Sequence, residues 1–144
     1  MKDLKLDDVY VFLLERTTRQ FRKYAKQELK RHNIYISGEQ WVALKTIYDN
    51  NGINQRELAE STYKDPASIT RILDILEKQH YVKRESIDGN RRTHSLSVTS
   101  EGGNFVKKVI PYAKKIRAKG LTNISDQDLE TLNDLLNKIY NNFN

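Results

Sequence analysis

The sequence predicts a mainly α-helical chain with one small β-hairpin, and three observations carry that reading. Apolar residues recur at three- and four-residue steps through most of the 144 positions, which is the helical period. Side chains suited to capping a helix N-terminus stand just ahead of those stretches, at Ser37, Asn54, Asp65, Thr99 and Ser125. The period breaks once, where residues 81–87 and 93–98 read as extended and flank Asp88-Gly89, a dipeptide that favours a hairpin turn.

Each element has its own signal. Leu6, Val9, Leu13, Thr17, Phe21, Tyr24 and Leu29 share one face of a helix expected over about 7–32. Ser37-Gly38-Glu39-Gln40 matches a capping box, and Trp41, Leu44, Ile47 and Tyr48 form the stripe of the helix it opens. Asn50-Asn51-Gly52 ends that helix. Asn54 with Glu57 three residues on starts a short helix carrying Leu58 and Ala59 to about Thr62. Asp65 caps the next, and Pro66 suits its first position because the missing N–H would have no intrahelical partner there. Ile69, Ile72, Leu73 and Leu76 bury one face of it, turning Ala67, Thr70, Arg71, Asp74 and Lys78 outward. After the hairpin, Thr99 and Ser100 offer caps for a helix to about Lys119, with a bend expected at Pro111. The last helix opens at Ser125 and carries Leu129, Leu132, Leu135, Leu136, Ile139, Tyr140 and Phe143.

Composition bounds the function. With 38% hydrophobic and 31% charged residues, the chain reads as one soluble globular domain over 1–144. Cysteine is absent, which excludes thiolate metal sites, disulfides and thiol redox switches. The longest apolar run, the six residues 9–14, falls far short of the ~20 of a membrane span, so no membrane partner is expected. The acidic residues near the start do not suit a secretory signal, and a cytoplasmic location is expected. An enzyme finds little support: there is no P-loop, dinucleotide-binding glycine pattern or zinc-protease helix motif, and no cofactor is expected. His32, His80 and His94 are scattered and read as surface or packing residues, so no metal is expected either.

Twenty-five Lys and Arg against nineteen Asp and Glu leave a charge of +6, which favours a polyanionic partner. Seven basic residues lie between Arg16 and Arg31 and six between Glu101 and Lys119. Such runs are commonly solvated helix faces, so the case for nucleic acid rests on the order of elements. Two helices joined by a tight turn and followed by a basic hairpin make a winged helix-turn-helix, here about 37–99. The major groove, ~12 Å wide, admits one helix, and the side chains near the N-terminal end of the second helix are Ala67, Ser68, Thr70 and Arg71. Asp65 reads as the cap and not as a base contact. Arg91 and Arg92 at the hairpin tip suit the negative potential of a narrow minor groove. A winged helix that binds protein instead of DNA is the alternative.

The stretch from Leu58-Ala59-Glu60 through Asp65-Pro66-Ala67-Ser68-Ile69-Thr70-Arg71 to Lys83-Arg84 resembles the DNA-reading segment of the MarR (multiple antibiotic resistance regulator) family. Asn90-Arg91-Arg92, Leu96, Val98-Thr99 and Gly102 look like that family's wing signature. The resemblance implies a homodimeric transcription factor, commonly a repressor, that binds double-stranded DNA at a pseudo-palindromic site and is often released by a small aromatic or phenolic effector. Ser37, Lys64, Pro66, Ala67, Ser68, Thr70 and Arg71 would then lie against DNA, with Asn90, Arg91 and Arg92 on the wing. Three positions depart from the family pattern: Asn90 replaces a wing Asp, Lys64 replaces an apolar residue, and His80 stands where Gly often ends the reading helix. Tyr24, His32 and Trp41 become the effector candidates.

The chain ends point to a dimer independently. The last helix is apolar on more than one side, and Leu4, Leu6, Val9 and Leu13 are available to pair with Leu132, Leu136, Ile139, Tyr140 and Phe143. Ordinary core is the competing reading of that stripe. The dimerisation helices would be about 1–32 and 100–144, and a two-fold axis would set two reading helices ~34–36 Å apart.

Overall fold

The computed structural model describes residues 3–87 and 90–144. A short 3₁₀ turn, Leu6–Asp8, precedes α1 (Tyr10–Arg31), α2 (Gly38–Asp49), α3 (Gln55–Thr62), α4 (Pro66–Lys78), the strands β1 (Val82–Ile87) and β2 (Asn90–Val98), α5 (Ser100–Gly120) and α6 (Asp126–Asn142). The five expected caps all form. In each case the side-chain oxygen accepts from the backbone N–H three residues on, and Ser37 and Gln40 make the reciprocal bonds of a full capping box.

The expected first helix needs correction at its start. Val9 is extended (φ −94°, ψ 119°), so Leu6 and Val9 lie ahead of α1 and the helix proper begins at Tyr10. No side chain caps that end, and the Val9 N–H instead closes the 3₁₀ turn onto the Leu6 carbonyl. The second correction concerns the hairpin. β2 begins at Asn90, three residues earlier than the extended pattern suggests, which places Arg91 and Arg92 within the strand. Val82 through Ser86 pair with Val98 through His94, and the register shifts before Ile87 pairs with Asn90. The expected turn, Asp88-Gly89, lies outside the described residues. α5 runs as one helix with Pro111 inside it.

Leu44, Ile47, Leu58, Ile69, Leu73, Leu76, Leu96 and Val106 are wholly buried and join α2, α3, α4, β2 and α5 in one core. The segment before α3 adds a short third rung to the hairpin: the Leu96 N–H donates to the Ile53 carbonyl and the Gly52 N–H to the Leu96 carbonyl, both at 2.8 Å. Three helices end alike, with Asn33, Tyr63 and His80 at positive φ and the following N–H bonded back five residues to Leu29, Ala59 and Leu76. Asn tolerates this conformation, whereas Tyr63 and His80 hold it against the steric penalty of a Cβ.

The ends of the chain stay outside that core. Within the single chain only Leu29 of α1 is buried and no residue of α6 is.

One close approach fixes where α5 starts. A Cβ on Gly102 would stand 2.0 Å from the Tyr81 carbonyl oxygen, whereas one on Gly103 meets nothing within 4 Å. Gly102→Ala should therefore destabilise the fold by about 3 kcal/mol, the upper end of what overpacking costs. Gly103→Ala should stabilise it by about 0.5–1 kcal/mol, the usual gain from removing a helical glycine. Urea midpoints of the two variants check both signs.

Candidate nucleic-acid interface

α3 and α4 meet through a short turn, Tyr63-Lys64-Asp65, and α4 starts under tight local control. The Asp65 carboxylate accepts from the Ser68 N–H at 2.9 Å and from the Ser68 hydroxyl at 2.7 Å. Its carboxyl is held below the usual carboxylate range, first by the Ser68 hydroxyl and then by that N–H. Arg71 Nη2 donates to Ser68 Oγ at 3.2 Å, so Asp65, Ser68 and Arg71 form one chain of bonds along the first turn and a half. Pro66, Ala67, Thr70 and Arg71 are exposed and Ser68 is half-buried. Thr70 Oγ1 donates to the Pro66 carbonyl at 3.0 Å and accepts from Gln55 Nε2 at 2.9 Å.

Ser37 sits apart from this face, at the start of α2 and in its capping box. Lys64 is committed within the chain: its ammonium lies 2.8 Å from Glu39 Oε1, and Arg22 Nη1 approaches the same oxygen at 3.2 Å. One carboxylate thus ties α1, α2 and the turn before α4 together. Glu39 is held below the ordinary carboxylate range, first by the hydrogen bond from Lys64, then, against the effect of its partial burial, by the charges of Lys64 and Arg22.

The wing is tied down at its root. Arg84 of β1, largely buried, bonds to Asp74 of α4, and its Nε lies 3.3 Å from Glu77 Oε2 without hydrogen-bond geometry. The side chains of Asn90, Arg91 and Arg92 lie outside what the structure describes.

A model of the MarR family matches residues 36–94, the span from the end of the α1–α2 connection into β2. Residues 36–94 form a MarR-family domain. It is 26% identical over 133 residues to the organic hydroperoxide resistance transcriptional regulator of Bacillus subtilis, covering 92% of this chain and 88% of that one. The S. aureus MepR–DNA complex superposes with a TM-score of 0.83 at 18% identity, covering 93% of this chain and 98% of MepR. CouR from Rhodococcus jostii RHA1, bound to p-coumaroyl-CoA, superposes with a TM-score of 0.77 at 22% identity, covering 95% of each chain.

The three effector candidates do not share one cavity in this chain. Tyr24 and His32 line a cavity of about 160 Å³ against Tyr112 of α5, whose ring lies 4.3 Å from that of His32. Trp41 lines a separate one of about 230 Å³ between α1, α2 and α5, with Phe21, Leu29 and Val109 among its apolar walls. The apolar residues assigned to dimerisation stand largely open: Leu6 is 65% and Phe143 77% exposed, Leu132 and Tyr140 are exposed, and Val9, Leu13, Leu136 and Ile139 are half-buried. Among the described residues no cluster of His, Asp and Glu is placed to hold a metal ion.

Gln55, Glu39 and Arg84 escaped the sequence reading. Their partners lie 15, 25 and 10 residues away, beyond any capping or helical spacing. Lys64, a cation where the resembled family pattern is commonly apolar, pointed instead to a phosphate contact.

The Glu39 ties carry a pH signature. Because the folded carboxyl titrates below its unfolded value, its contribution is complete above the ordinary carboxylate range and is lost as pH falls through the folded value. Glu39→Gln should lower the unfolding free energy at pH 7 by under about 1 kcal/mol, as befits a half-exposed, solvent-screened pair. The difference should close as pH falls below the ordinary carboxylate range, and curves that stay parallel would contradict the assignment.

Proposed function

We propose that this DNA-binding regulator of the MarR family acts in the cytoplasm as a homodimeric repressor. It reads a pseudo-palindromic duplex, and a small aromatic or phenolic ligand releases it. The observation that carries the reading is the exposed N-terminal face of α4, where Ala67, Thr70 and Arg71 stand clear of the core on a helix fixed by the Asp65 cap. A rigid, projecting helix of this kind fits the major groove, and Arg71 is the side chain suited to bidentate contact with a guanine edge. Its positive N-terminus also favours a neighbouring phosphate. Arg91, Arg92 and Asn90 are assigned to the wing's minor-groove contact, and Ser37 and Lys64 to the phosphate backbone.

The dimer is supported by the apolar side chains that a single chain leaves in water. Leu6, Leu132, Tyr140 and Phe143 are exposed on elements with almost no buried residues of their own, and a second copy would cover them. This divides the molecule into a reading unit of about 37–99 and dimerisation helices on either side. The effector assignment is supported by the apolar cavity at Trp41 and by the acyl-CoA bound to CouR. With no cysteine in the chain, a thiol cannot be the sensor. No described helix is long and apolar enough to cross a membrane, in keeping with the proposed location.

Fluorescence anisotropy on duplex from upstream of the gene and on a scrambled duplex of equal length tests the reading. Specific DNA should bind ~10³-fold or more tighter. Arg71→Ala should lower the affinity for the specific duplex by roughly tenfold to a hundredfold and leave scrambled DNA nearly unaffected. Truncation after Ile124 should abolish the dimer and specific binding together. A truncated chain that stays dimeric would contradict the dimer assignment, and binding to neither duplex would favour a protein-interaction module.

A further inference from the structure

Resting on the DNA-reading assignment of α4, we infer that Gln55 is a specificity-determining residue that makes Thr70 a hydrogen-bond acceptor toward the bases. A threonine hydroxyl has one proton to donate and two lone pairs with which to accept. At Thr70 the proton goes to the Pro66 carbonyl at 3.0 Å, and one lone pair takes the proton of Gln55 Nε2 at 2.9 Å. The remaining lone pair is the only hydrogen-bonding capacity left for a ligand. Ser68 is in the same state, its proton donated to Asp65 Oδ2 and one lone pair taken by Arg71 Nη2.

The major groove answers this asymmetry in kind. Adenine N6 and cytosine N4 offer protons there, whereas guanine and thymine offer acceptors that an occupied hydroxyl cannot serve. Thr70 therefore selects adenine or cytosine on the strand it faces and rejects guanine and thymine. Gln55 reaches Thr70 from the first turn of α3, half-buried between the two helices, and is a positioning residue. Accepting from Gln55 polarises the hydroxyl and strengthens its donation to Pro66, so without Gln55 the proton turns outward more readily, which erodes the discrimination.

Selection from a randomised duplex library with the full-length protein tests this, comparing wild type, Gln55→Leu and Thr70→Val. The wild type should show one position per half-site where adenine and cytosine are favoured roughly three- to tenfold over guanine and thymine, the range of a single neutral hydrogen bond. Thr70→Val, which keeps the shape and removes the acceptor, should flatten that position alone. Gln55→Leu should weaken the same preference while the other positions keep theirs, a result that loss of folding cannot mimic. Wild-type selection in which Thr70→Val flattens no position, or flattens a thymine preference set by its methyl group, overturns the inference and leaves the regulator reading intact. So does a Gln55→Leu logo identical to wild type. A wild type that enriches no sequence overturns the regulator reading and the inference with it.

Discussion

The carbonyl of Tyr81 is the point on which the geometry of the reading unit depends. It accepts the Thr99 N–H at 3.0 Å, and the bare Cα of Gly102 packs against it where any Cβ would collide. The Tyr81 N–H meanwhile closes the end of α4 through the Leu76 carbonyl, and the Thr99 hydroxyl donates to the His80 carbonyl. Stacking of the Tyr81 ring on Phe105, at 4.4 Å, extends the same contact along α5. The end of α4, the start of β1 and the start of α5 are thus set by one short segment of backbone. His80 accepts a positive φ of 66° to let that segment turn.

Everything that would face DNA inherits its position from this junction and from the core beneath it. α4 is pinned at one end by the Asp65 cap and along its length by Ile69, Ile72, Leu73 and Leu76, so its outward residues project from a surface with little freedom. The ion pairs play a smaller part. Glu39 with Lys64 and Arg22, and Arg84 with Asp74, join elements that the core already orients. Partly exposed pairs of this sort are each worth under about 1 kcal/mol, whereas one fully buried Leu or Ile contributes roughly 1.5–3. Their value lies in holding particular charged groups in place, Lys64 above all, which is paired with Glu39.

The fold was legible in the sequence wherever the signal was local. Ser37, Asn54, Asp65, Thr99 and Ser125 each announce a helix within three residues, and Ile69, Ile72, Leu73 and Leu76 declare the buried face of α4 by spacing alone. The start of α1 was not legible, because Leu6 and Val9 keep the helical period while Val9 adopts an extended backbone. The early start of β2 at Asn90 was hidden by a register shift that no alternation of side chains reveals. Of the site, the outward set on α4 could be read directly. The bonds from Gln55 to Thr70 and from Glu39 to Lys64 could not, since they join residues that only the packing of three helices brings together.

The core takes in α2 through α5, whereas α6 and the start of α1 leave their apolar side chains in water. The proposed two-fold dimer resolves both facts at once, by covering α6 and the start of α1 and by presenting two copies of α4 to one face of a duplex. Dimethyl sulfate protection of guanine N7 on a selected duplex tests that account most directly, since this atom lies in the major groove. The account predicts two protected clusters related by a dyad and centred ~34–36 Å apart, one helical turn. A single cluster, or protection without dyad symmetry, would contradict it.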